Sequence, residues 1–319
     1  MSAIAVIIPY YQREPGLLRR ALESVVAQEY QPAQVIVIDD GSPRRCWLDI
    51  TDADFPHRLK GFTVILQKNK GVSAARNAGL ASLFQDITAV AFLDSDDVWG
   101  PQHLKNAAEA LAQGADFYFS NFRCEGESED AFRDHASRKH LASTAEGLVT
   151  WTRGVSALMQ SSCPFRTSSV VFRRSVMPNV RFPTKFRGAG EDHVVFWELV
   201  LRSSCVMYSP KVNLTYGNEG MGLWRNATLG TREHLRRLAD EIRTHRWVLK
   251  HSPVQGENRY QIRRYIANNR GAALYSALHL IRRRHNVLWE ILYLFYVDPA
   301  CILAWSVDLP QRMVKFWRR

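Results

Sequence analysis

An apolar run at residues 89–93 leads directly into three carboxylates, Asp94, Asp96 and Asp97. Its length is typical of a strand buried on both faces, which predicts that the carboxylates lie at the carboxyl end of that strand. Clustered carboxylates repel one another unless a cation offsets their charge, so the pattern indicates a divalent metal site. The alternative is a turn in which an aspartate caps the next helix, and for Asp97 this would be a helix beginning near Pro101.

Two earlier apolar segments end in the same way. Residues 3–8 form a mainly β-branched run that Pro9 stops, and residues 35–38 lead into a pair of aspartates that includes Asp40. Helical periodicity separates these segments, and strands that alternate with helices are typical of an α/β protein with a parallel sheet. Ligands bind outside the carboxyl ends of such strands. We therefore expect Pro9, Asp40 and the three carboxylates at one binding edge.

Five segments, in this order, resemble the nucleotide-binding half of the family 2 glycosyltransferases, which have the GT-A fold. They are VIIPYY at 6–11, SVVAQ at 24–28, IDDGS at 38–42, NKGVSAARN at 69–77 and FLDSDD at 92–97. The resemblance covers residues 3–121. It implies an enzyme that moves a sugar from a nucleotide diphosphosugar to an acceptor, with inversion at the anomeric carbon.

The resemblance also implies the organisation of the chain. The predicted fold is α/β, a GT-A domain with a mostly parallel Rossmann-like sheet and a C-terminal helical extension. Residues 1–121 are the predicted nucleotide-sugar-binding half of that domain and residues 122–230 its acceptor and catalytic half. Residues 231–319 are the predicted basic, amphipathic helical extension.

Donor-binding roles follow from the resemblance. Asp40 is expected to accept the N3–H of the base, with Pro9 and Tyr11 beside it; a carboxylate is an acceptor that suits this fixed donor of uracil. Arg76 is expected to reach toward the base or the phosphates, and an exposed helix arginine is its alternative. A UDP-sugar is the preferred donor, while GDP- and dTDP-sugars stay alternatives.

The same resemblance implies a metal cofactor. Asp96 is expected to bind it directly, and Asp94 to face the ribose or reach the metal through water, with Ser95 between them in the donor site. Hard carboxylate and diphosphate oxygens suit Mn²⁺ or Mg²⁺. The five cysteines are widely spaced, which argues against both a zinc site and a disulfide framework.

Inversion needs a general base, and the resemblance assigns it to Asp192, with Glu191 as the reserve base or an acceptor contact. Both precede an apolar helical run at residues 194–201, so N-capping is the alternative. Two other classes compete: a nucleotide-sugar-binding protein without transfer, and a nucleotidyltransferase on a related fold. The latter would ordinarily carry a Gly-rich basic loop after the first strand, where this chain has PYYQRE at 9–14.

A glycine-rich segment, residues 217–224, lies near the end of the predicted acceptor and catalytic half. Its composition suits a lid that closes over donor and acceptor, with Gly220 as a flexible point and Trp224 stacking on a sugar or sealing the site. A flexible surface loop without that role is the alternative.

The last quarter of the chain carries nearly all of its excess charge. Residues 232–319 hold 17 Lys and Arg against 7 Asp and Glu, whereas the preceding residues hold 25 against 24. Helical patterns cover 231–250, 255–281, 287–297 and 299–317, and no apolar run reaches the roughly 18 residues of a spanning helix. An arginine triplet precedes aromatic residues that suit lipid headgroup depth, namely Trp289, Tyr293, Tyr296 and Trp305.

These features predict docking of the C-terminal helices on an anionic membrane surface. The alternative is a helical subdomain that packs on the catalytic core with a solvated basic exterior. Docking would favour a lipid-linked acceptor, and the family resemblance implies a saccharide or lipid-linked acceptor in cell-surface glycan or polysaccharide biosynthesis. No motif indicates specific nucleic-acid binding. The N-terminus passes directly into the first strand without a signal peptide, so we expect a peripheral protein at the cytoplasmic face of the cell membrane.

Overall fold

The computed structural model of the protein describes residues 2–50, 55–134, 147–152, 164–186, 190–217, 227–228, 230–252 and 254–306. The strands are β1 Ile4–Tyr10, β2 Gln34–Asp39, β3 Phe62–Leu66, β4 Ala89–Phe92, β5 Val98–Trp99, β6 Phe117–Cys124, β7 Val149–Thr150, β8 Val170–Arg173 and β9 Val206–Tyr216. The helices are α1 Leu17–Val26, α2 Trp47–Ile50, α3 Phe55–Arg58, α4 Val72–Ala81, α5 His103–Ala112, α6 Ala131–Asp134, α7 Glu191–Arg202, α8 Arg232–His251, α9 Gly256–Arg282, α10 Leu288–Val297 and α11 Ala300–Ser306.

All nine strands form one sheet, in the order β3-β2-β1-β4-β8-β6-β9-β5, with β7 paired to β9. The strands β3, β2, β1 and β4 are parallel, so their carboxyl ends meet at one edge. Beyond β4 the sheet is mixed, because β8 runs antiparallel to both β4 and β6. The predicted α/β GT-A architecture is confirmed. Its parallel part is smaller than the sequence indicated, since alternation of side chains carries no information about strand direction.

Three of the four parallel strands are buried, whereas β3, at the edge of the sheet, is partly exposed. Every residue of β1, β2 and β4 is buried, as their apolar runs predicted. Helix α4 lies directly on β1: a Cβ on Gly79 would come within 2.5 Å of Ile7 Cγ2. Glycine at this position lets the helix approach closely enough to fix the start of α4 near the binding edge.

The chain divides into two compact units. The first contains Met1–Arg187 and Val195–Met221, and the second contains Gly188–Val194 and Gly222–Arg319. The first unit holds the sheet, and the second holds the C-terminal helices. The predicted division at residues 121 and 230 stays a prediction.

The three long helical patterns of the tail correspond to α8, α9 and α10, each within about one residue of its predicted bounds, and α11 begins the fourth. In the second unit α10 is tied to α8 by the Tyr293 hydroxyl, which donates to Asp240 at 2.6 Å. Glu241 of α8 accepts hydrogen bonds from Tyr265 and Asn269 of α9. Within the described ranges no single helix is long and apolar enough to cross a membrane. Taken together, α10 and α11 have the necessary length and composition, but they are bent by 116° relative to each other.

Candidate active site

The carboxyl ends of β1, β2 and β4 are joined by a short chain of hydrogen bonds. The Asp40 N–H donates to the Tyr10 carbonyl at 3.0 Å. Gln12 donates its N–H to Ser42 Oγ at 2.8 Å, and the Ser42 hydroxyl donates back to the Gln12 carbonyl. The Gln12 side chain then donates to Ser95 Oγ at 3.1 Å. The structure therefore brings the three predicted strand ends together at one edge.

Asp40 holds the loop that leads into α4. Its Oδ1 accepts from the Gln67 side chain at 2.6 Å and from the Lys70 N–H at 2.9 Å, and its Oδ2 accepts from the Gly71 N–H at 2.8 Å. Gly71 has φ 88°, in the region that favours glycine. A carboxylate offers about four acceptor positions, so roughly one remains for a ligand. Pro9 and Tyr11 flank this group: Pro9 is buried in β1, and Tyr11 is half-buried just after it.

Arg76 is directed into the site rather than into solvent. Its side chain is 4 % exposed, and Nη2 lies 2.9 Å from Asp94 Oδ1. The guanidinium carbon lies 5.2 Å from the centre of the Phe182 ring, an additional favourable contact for a cation. The alternative of an exposed helix arginine is thus wrong. Arg76 fixes the Asp94 carboxylate, which stays 30 % exposed and accessible to a ligand.

Asp96 and Asp97 are acids in a poorly solvated position. Burial raises the pKa of Asp96 to about 6, and the negative charge of Asp94 adds to the effect. Burial is also the main cause of the raised pKa of Asp97, and the negative charges of Asp94 and Asp96 raise it further. Asp97 accepts hydrogen bonds from the Ser168 hydroxyl and from the Gly217 N–H. It does not cap the next helix, because α5 begins at His103 and its N-cap is Gln102.

The carboxylates of this site suit a small divalent cation whose remaining ligands come from the substrate and water. In the described part of the chain no three His, Cys, Asp or Glu side chains are arranged to bind a metal. Asp97 is 1 % exposed and uses both oxygens internally, so Asp94 and Asp96 are the available carboxylates. Mg²⁺ and similar ions are commonly held by one or two carboxylates, with the remaining ligands from phosphates and water. The poorly solvated negative charge at Asp96 is what such a cation would neutralise.

The predicted base residues begin α7, in the second compact unit. Glu191 is 9 % exposed, and Asp192 is half-buried and accepts the His193 N–H at 2.8 Å. Gly190, just before them, has φ 87°. Their catalytic roles stay predictions. The lid residues Gly220 and Trp224 lie outside the described residues, as does most of their segment.

Sequence reasoning missed the residues that connect the acidic groups. Gln12 and Ser42 join β1 to β2, and Gln12 also reaches Ser95. Ser168 donates to Asp97 and accepts from the Asp94 N–H at 2.9 Å. Ser42 belongs to the recognised IDDGS segment, but Gln12 and Ser168 had no signal beyond being polar residues next to apolar runs.

Comparisons with known proteins place the chain in a family. The Glycosyl transferase family 2 model matches residues 5–175. The chain is 32 % identical over 318 residues to the succinoglycan biosynthesis protein ExoW of Rhizobium meliloti, covering 95 % of this chain and 96 % of that protein. It is 26 % identical over 187 residues to a glucosyltransferase of Escherichia coli, WfaP, covering 57 % and 65 % of the two chains.

Solved structures support the same fold. The mannosyltransferase PcManGT from Pyrobaculum calidifontis, in complex with GDP-Man and Mn²⁺, matches 96 % of this chain and 86 % of its own, with a TM-score of 0.61 and 18 % identity. S. aureus TarS 1–349 in complex with UDP-GlcNAc matches 98 % and 92 %, with a TM-score of 0.58 and 18 % identity. Since the family model matches more than half of the chain and one relative aligns along nearly all of it, this chain belongs to glycosyl transferase family 2 and is a glycosyltransferase.

Proposed function

We propose that the protein transfers a sugar from a UDP-sugar to a saccharide or lipid-linked acceptor in cell-surface polysaccharide biosynthesis, with Mn²⁺ or Mg²⁺ as cofactor. The names of two relatives support the pathway class: ExoW is a succinoglycan biosynthesis protein, and WfaP is a UDP-Glc:alpha-D-GlcNAc-diphosphoundecaprenol beta-1,3-glucosyltransferase. TarS binds UDP and UDP-GlcNAc. PcManGT binds GDP-Man, which keeps GDP-sugars as the alternative donors.

The observation that carries the proposal is the joining of three parallel strand ends at one edge. The Gln12 and Ser42 hydrogen bonds connect the Asp40 loop to the segment that bears Asp94, Ser95 and Asp96. A nucleotide needs one group for its base and another for its diphosphate, at a fixed separation. Residues joined by direct hydrogen bonds can hold that separation, because little freedom remains to be lost when the ligand binds.

In the proposed donor complex, Asp40 uses its remaining acceptor position for the N3–H of uracil, with Pro9 and Tyr11 beside the base. Arg76 holds the Asp94 carboxylate through the 2.9 Å ion pair and orients it toward the ribose and the metal. Asp96 is the direct metal ligand, and Ser95 lines the donor site. Bound Mn²⁺ or Mg²⁺ would supply charge neutralisation on the departing nucleoside diphosphate.

Asp192 is the proposed general base. It accepts the proton of the acceptor hydroxyl while that oxygen attacks the anomeric carbon on the face opposite the diphosphate. The new glycosidic bond forms as the bond from the anomeric carbon to the diphosphate oxygen breaks, and the nucleoside diphosphate leaves with that electron pair. This displacement inverts the anomeric centre. Glu191 contacts the acceptor or replaces Asp192 as the base.

Donor binding is tested by thermal shift with UDP, GDP and dTDP, each with and without Mn²⁺. We expect UDP with Mn²⁺ to raise the melting temperature, because a ligand that binds only the folded state stabilises it. Asp96→Asn should abolish the metal-dependent part of this shift. Asp86→Asn is the matched control, since Asp86 is exposed, and it should keep the wild-type shift.

Three results would contradict the donor assignment: a larger shift with GDP or dTDP, a UDP shift that does not depend on Mn²⁺, and an Asp96→Asn variant that responds like the wild type. The first result would mean that the donor carries a nucleotide other than UDP. Either of the other two would mean that Asp96 does not bind the proposed metal.

Catalysis is tested separately with Asp192→Asn. We expect transfer to fall about 100-fold or more, the usual scale of the loss of a general base, while the UDP and Mn²⁺ thermal shift is retained. Glu191→Gln is the comparison variant and should retain more activity than Asp192→Asn. The products are assigned by NMR of the new anomeric proton, and retention of configuration would contradict the inverting mechanism.

We also propose that the protein acts peripherally at the cytoplasmic face of the cell membrane, where a lipid-linked acceptor would be delivered. The basic C-terminal quarter of the sequence supports this location, and specific nucleic-acid binding is not proposed. The two competing classes give distinct results. A pure binding protein would show the thermal shift without transfer. A nucleotidyltransferase would release no UDP from a UDP-sugar, and would release pyrophosphate when it is given UTP and a sugar 1-phosphate.

A further inference from the structure

Exposed apolar side chains concentrate on the last two described helices. Seven of the fourteen exposed large apolar side chains in the described part of the chain lie within residues 281–303. Four of them are on α10: Leu288, Trp289, Leu292 and Tyr296, which are 56, 75, 47 and 84 % exposed. Successive residues of a helix are rotated by about 100°, so these four share one arc of about 100° on α10. This arc is a continuous apolar strip facing solvent.

The opposite side of α10 faces the helical unit. Leu294 is fully buried and Glu290 is 8 % exposed. The Tyr293 hydroxyl donates to Asp240 of α8, and Trp305 of α11 donates its indole N–H to the Arg270 carbonyl at 3.1 Å. Tyr293 and Trp305 therefore anchor the helices internally, and their placement at headgroup depth stays a prediction. The anchors fix the outward direction of the apolar strip.

In the segment that contains the strip, the acidic side chains are buried and the arginines are exposed. Residues 281–306 contain two acidic side chains, Glu290 and Asp298, and both are buried. Asp298 is 0 % exposed and accepts hydrogen bonds from Arg246 and Arg270. In contrast, the three arginines at 282–284, shortly before the strip in sequence, are all exposed. The exposed surface of this segment is thus apolar and positively charged, complementary to an anionic lipid surface.

The length of these helices excludes a straight crossing of the bilayer. Ten residues of α10 span about 15 Å, half of the roughly 30 Å hydrocarbon core. The chain then bends by 116° into α11, where Ile302 and Leu303 are again exposed at 52 and 72 %. Two short helices joined by a sharp bend can lie along the interface with their apolar sides at one depth.

We infer that the docking face, defined as Leu288, Trp289, Leu292, Tyr296, Ile302 and Leu303, inserts into the headgroup region of an anionic bilayer. The arginines at 282–284 bind the anionic headgroups. The inference deepens the proposed location at the membrane and gives it specific residues. It requires neither the proposed donor nor the proposed base.

The test is flotation of the full chain with vesicles of phosphatidylcholine, with and without phosphatidylglycerol. We expect Trp289→Ser with Tyr296→Ser to lower partitioning by about tenfold or more, because burial of even one large apolar side chain is worth about that factor. Arg283→Gln with Arg284→Asn should lower it about fivefold per charge on anionic vesicles only. Leu48→Ser with Tyr260→Ser is the matched control, 58 and 59 % exposed, and should float like the wild type.

Three outcomes would overturn the inference. In the first, the wild type does not float, or the Trp289 and Tyr296 variant floats equally well. In the second, flotation is absent and these substitutions dissociate a dimer in sedimentation, which makes the face a contact between copies. In the third, flotation begins only after removal of residues 307–319, which would mean that this segment, and not a membrane, covers the docking face. The UDP and Mn²⁺ thermal shift, measured on the same samples, reports the proposed function independently.

Discussion

Gly217 occupies a position that has no room for a side chain. A Cβ there would lie 2.0 Å from the Asp96 carbonyl oxygen, and its N–H donates to Asp97 at 2.8 Å. The chain after β9 is therefore seated against the acidic segment through its backbone. Any larger residue must push the Asp96 backbone or lose the hydrogen bond to Asp97.

We predict that Gly217→Ala lowers the free energy of unfolding by about 1 to 3 kcal/mol and weakens the UDP and Mn²⁺ thermal shift. Gly100→Ala is the matched control, because a Cβ there would make an ordinary contact of 3.4 Å with Asn213. Chemical denaturation and thermal shift measure the two effects. A variant that matches the control in both would show that the segment tolerates displacement.

His103 predicts a pH dependence of stability. Complete burial lowers its pKa to about 3, and it stacks on Trp99 at 4.6 Å between ring centres. In the unfolded chain a histidine titrates near pH 6.5. Below that pH the unfolded state binds a proton that folded His103 does not, so stability present above about pH 6.5 is lost as the pH falls.

For this histidine the loss between pH 7 and pH 5 amounts to about 2 kcal/mol. His103→Phe removes the titration and should reduce the pH dependence by that amount, whatever its constant cost from the lost contact with Ser120. His57→Phe, at an exposed position, should keep the wild-type profile. Urea denaturation at several pH values measures the difference, and parallel profiles for wild type and His103→Phe would contradict it.

At the scale of elements, the sequence predicted what is local. The runs at 3–8, 35–38 and 89–93 became β1, β2 and β4, because short, continuous apolar runs are typical of strands that are buried on both faces. The long tail helices were equally legible from their apolar spacing. Strand direction was not, since β8 pairs antiparallel with β4 through contacts about 80 residues apart in sequence.

The candidate site shows the same division. Asp40, Asp94 and Asp96 were found because acids at the ends of buried strands contradict the local apolar pattern. Their partners were not found, because a hydrogen bond from Gln12 to Ser95 or from Ser168 to Asp97 depends on tertiary proximity alone. The sequence therefore indicated which groups are candidates for binding a ligand, and the structure added how they are held.

On the scale of the whole molecule, the charge excess and the exposed apolar surface meet in one part of the chain. Residues 232–319 carry a net charge of +10, from 17 basic and 7 acidic residues. Within the described helices of this region, buried and half-buried acids organise the interior. Asp240 accepts from Tyr293, Glu241 from Tyr265, and Asp298 from two arginines. Basic residues are thus left to form the exterior, and the docking face depends on an interior held by acids.

Asp298 is the strongest case, and it gives the last prediction. It lies at the break between α10 and α11 and binds Arg246 of α8 and Arg270 of α9, so one carboxylate connects four helices. Asp298→Asn leaves both arginines beside a neutral amide, and removal of one partner from a buried ion pair costs roughly 3 kcal/mol. Because Arg246 is 41 % exposed, water recovers part of this, and we expect the loss to be no larger.

The consequence reaches the membrane as well as the fold. Loosening the break lets α10 and α11 rotate, so Asp298→Asn should lower both the urea midpoint and vesicle partitioning, although its own side chain touches no lipid. Glu257→Gln, an exposed acid of the same unit, is the control for charge and should change neither. Reduced stability with unchanged partitioning would mean that the docking face does not depend on the Asp298 ion pairs for its orientation.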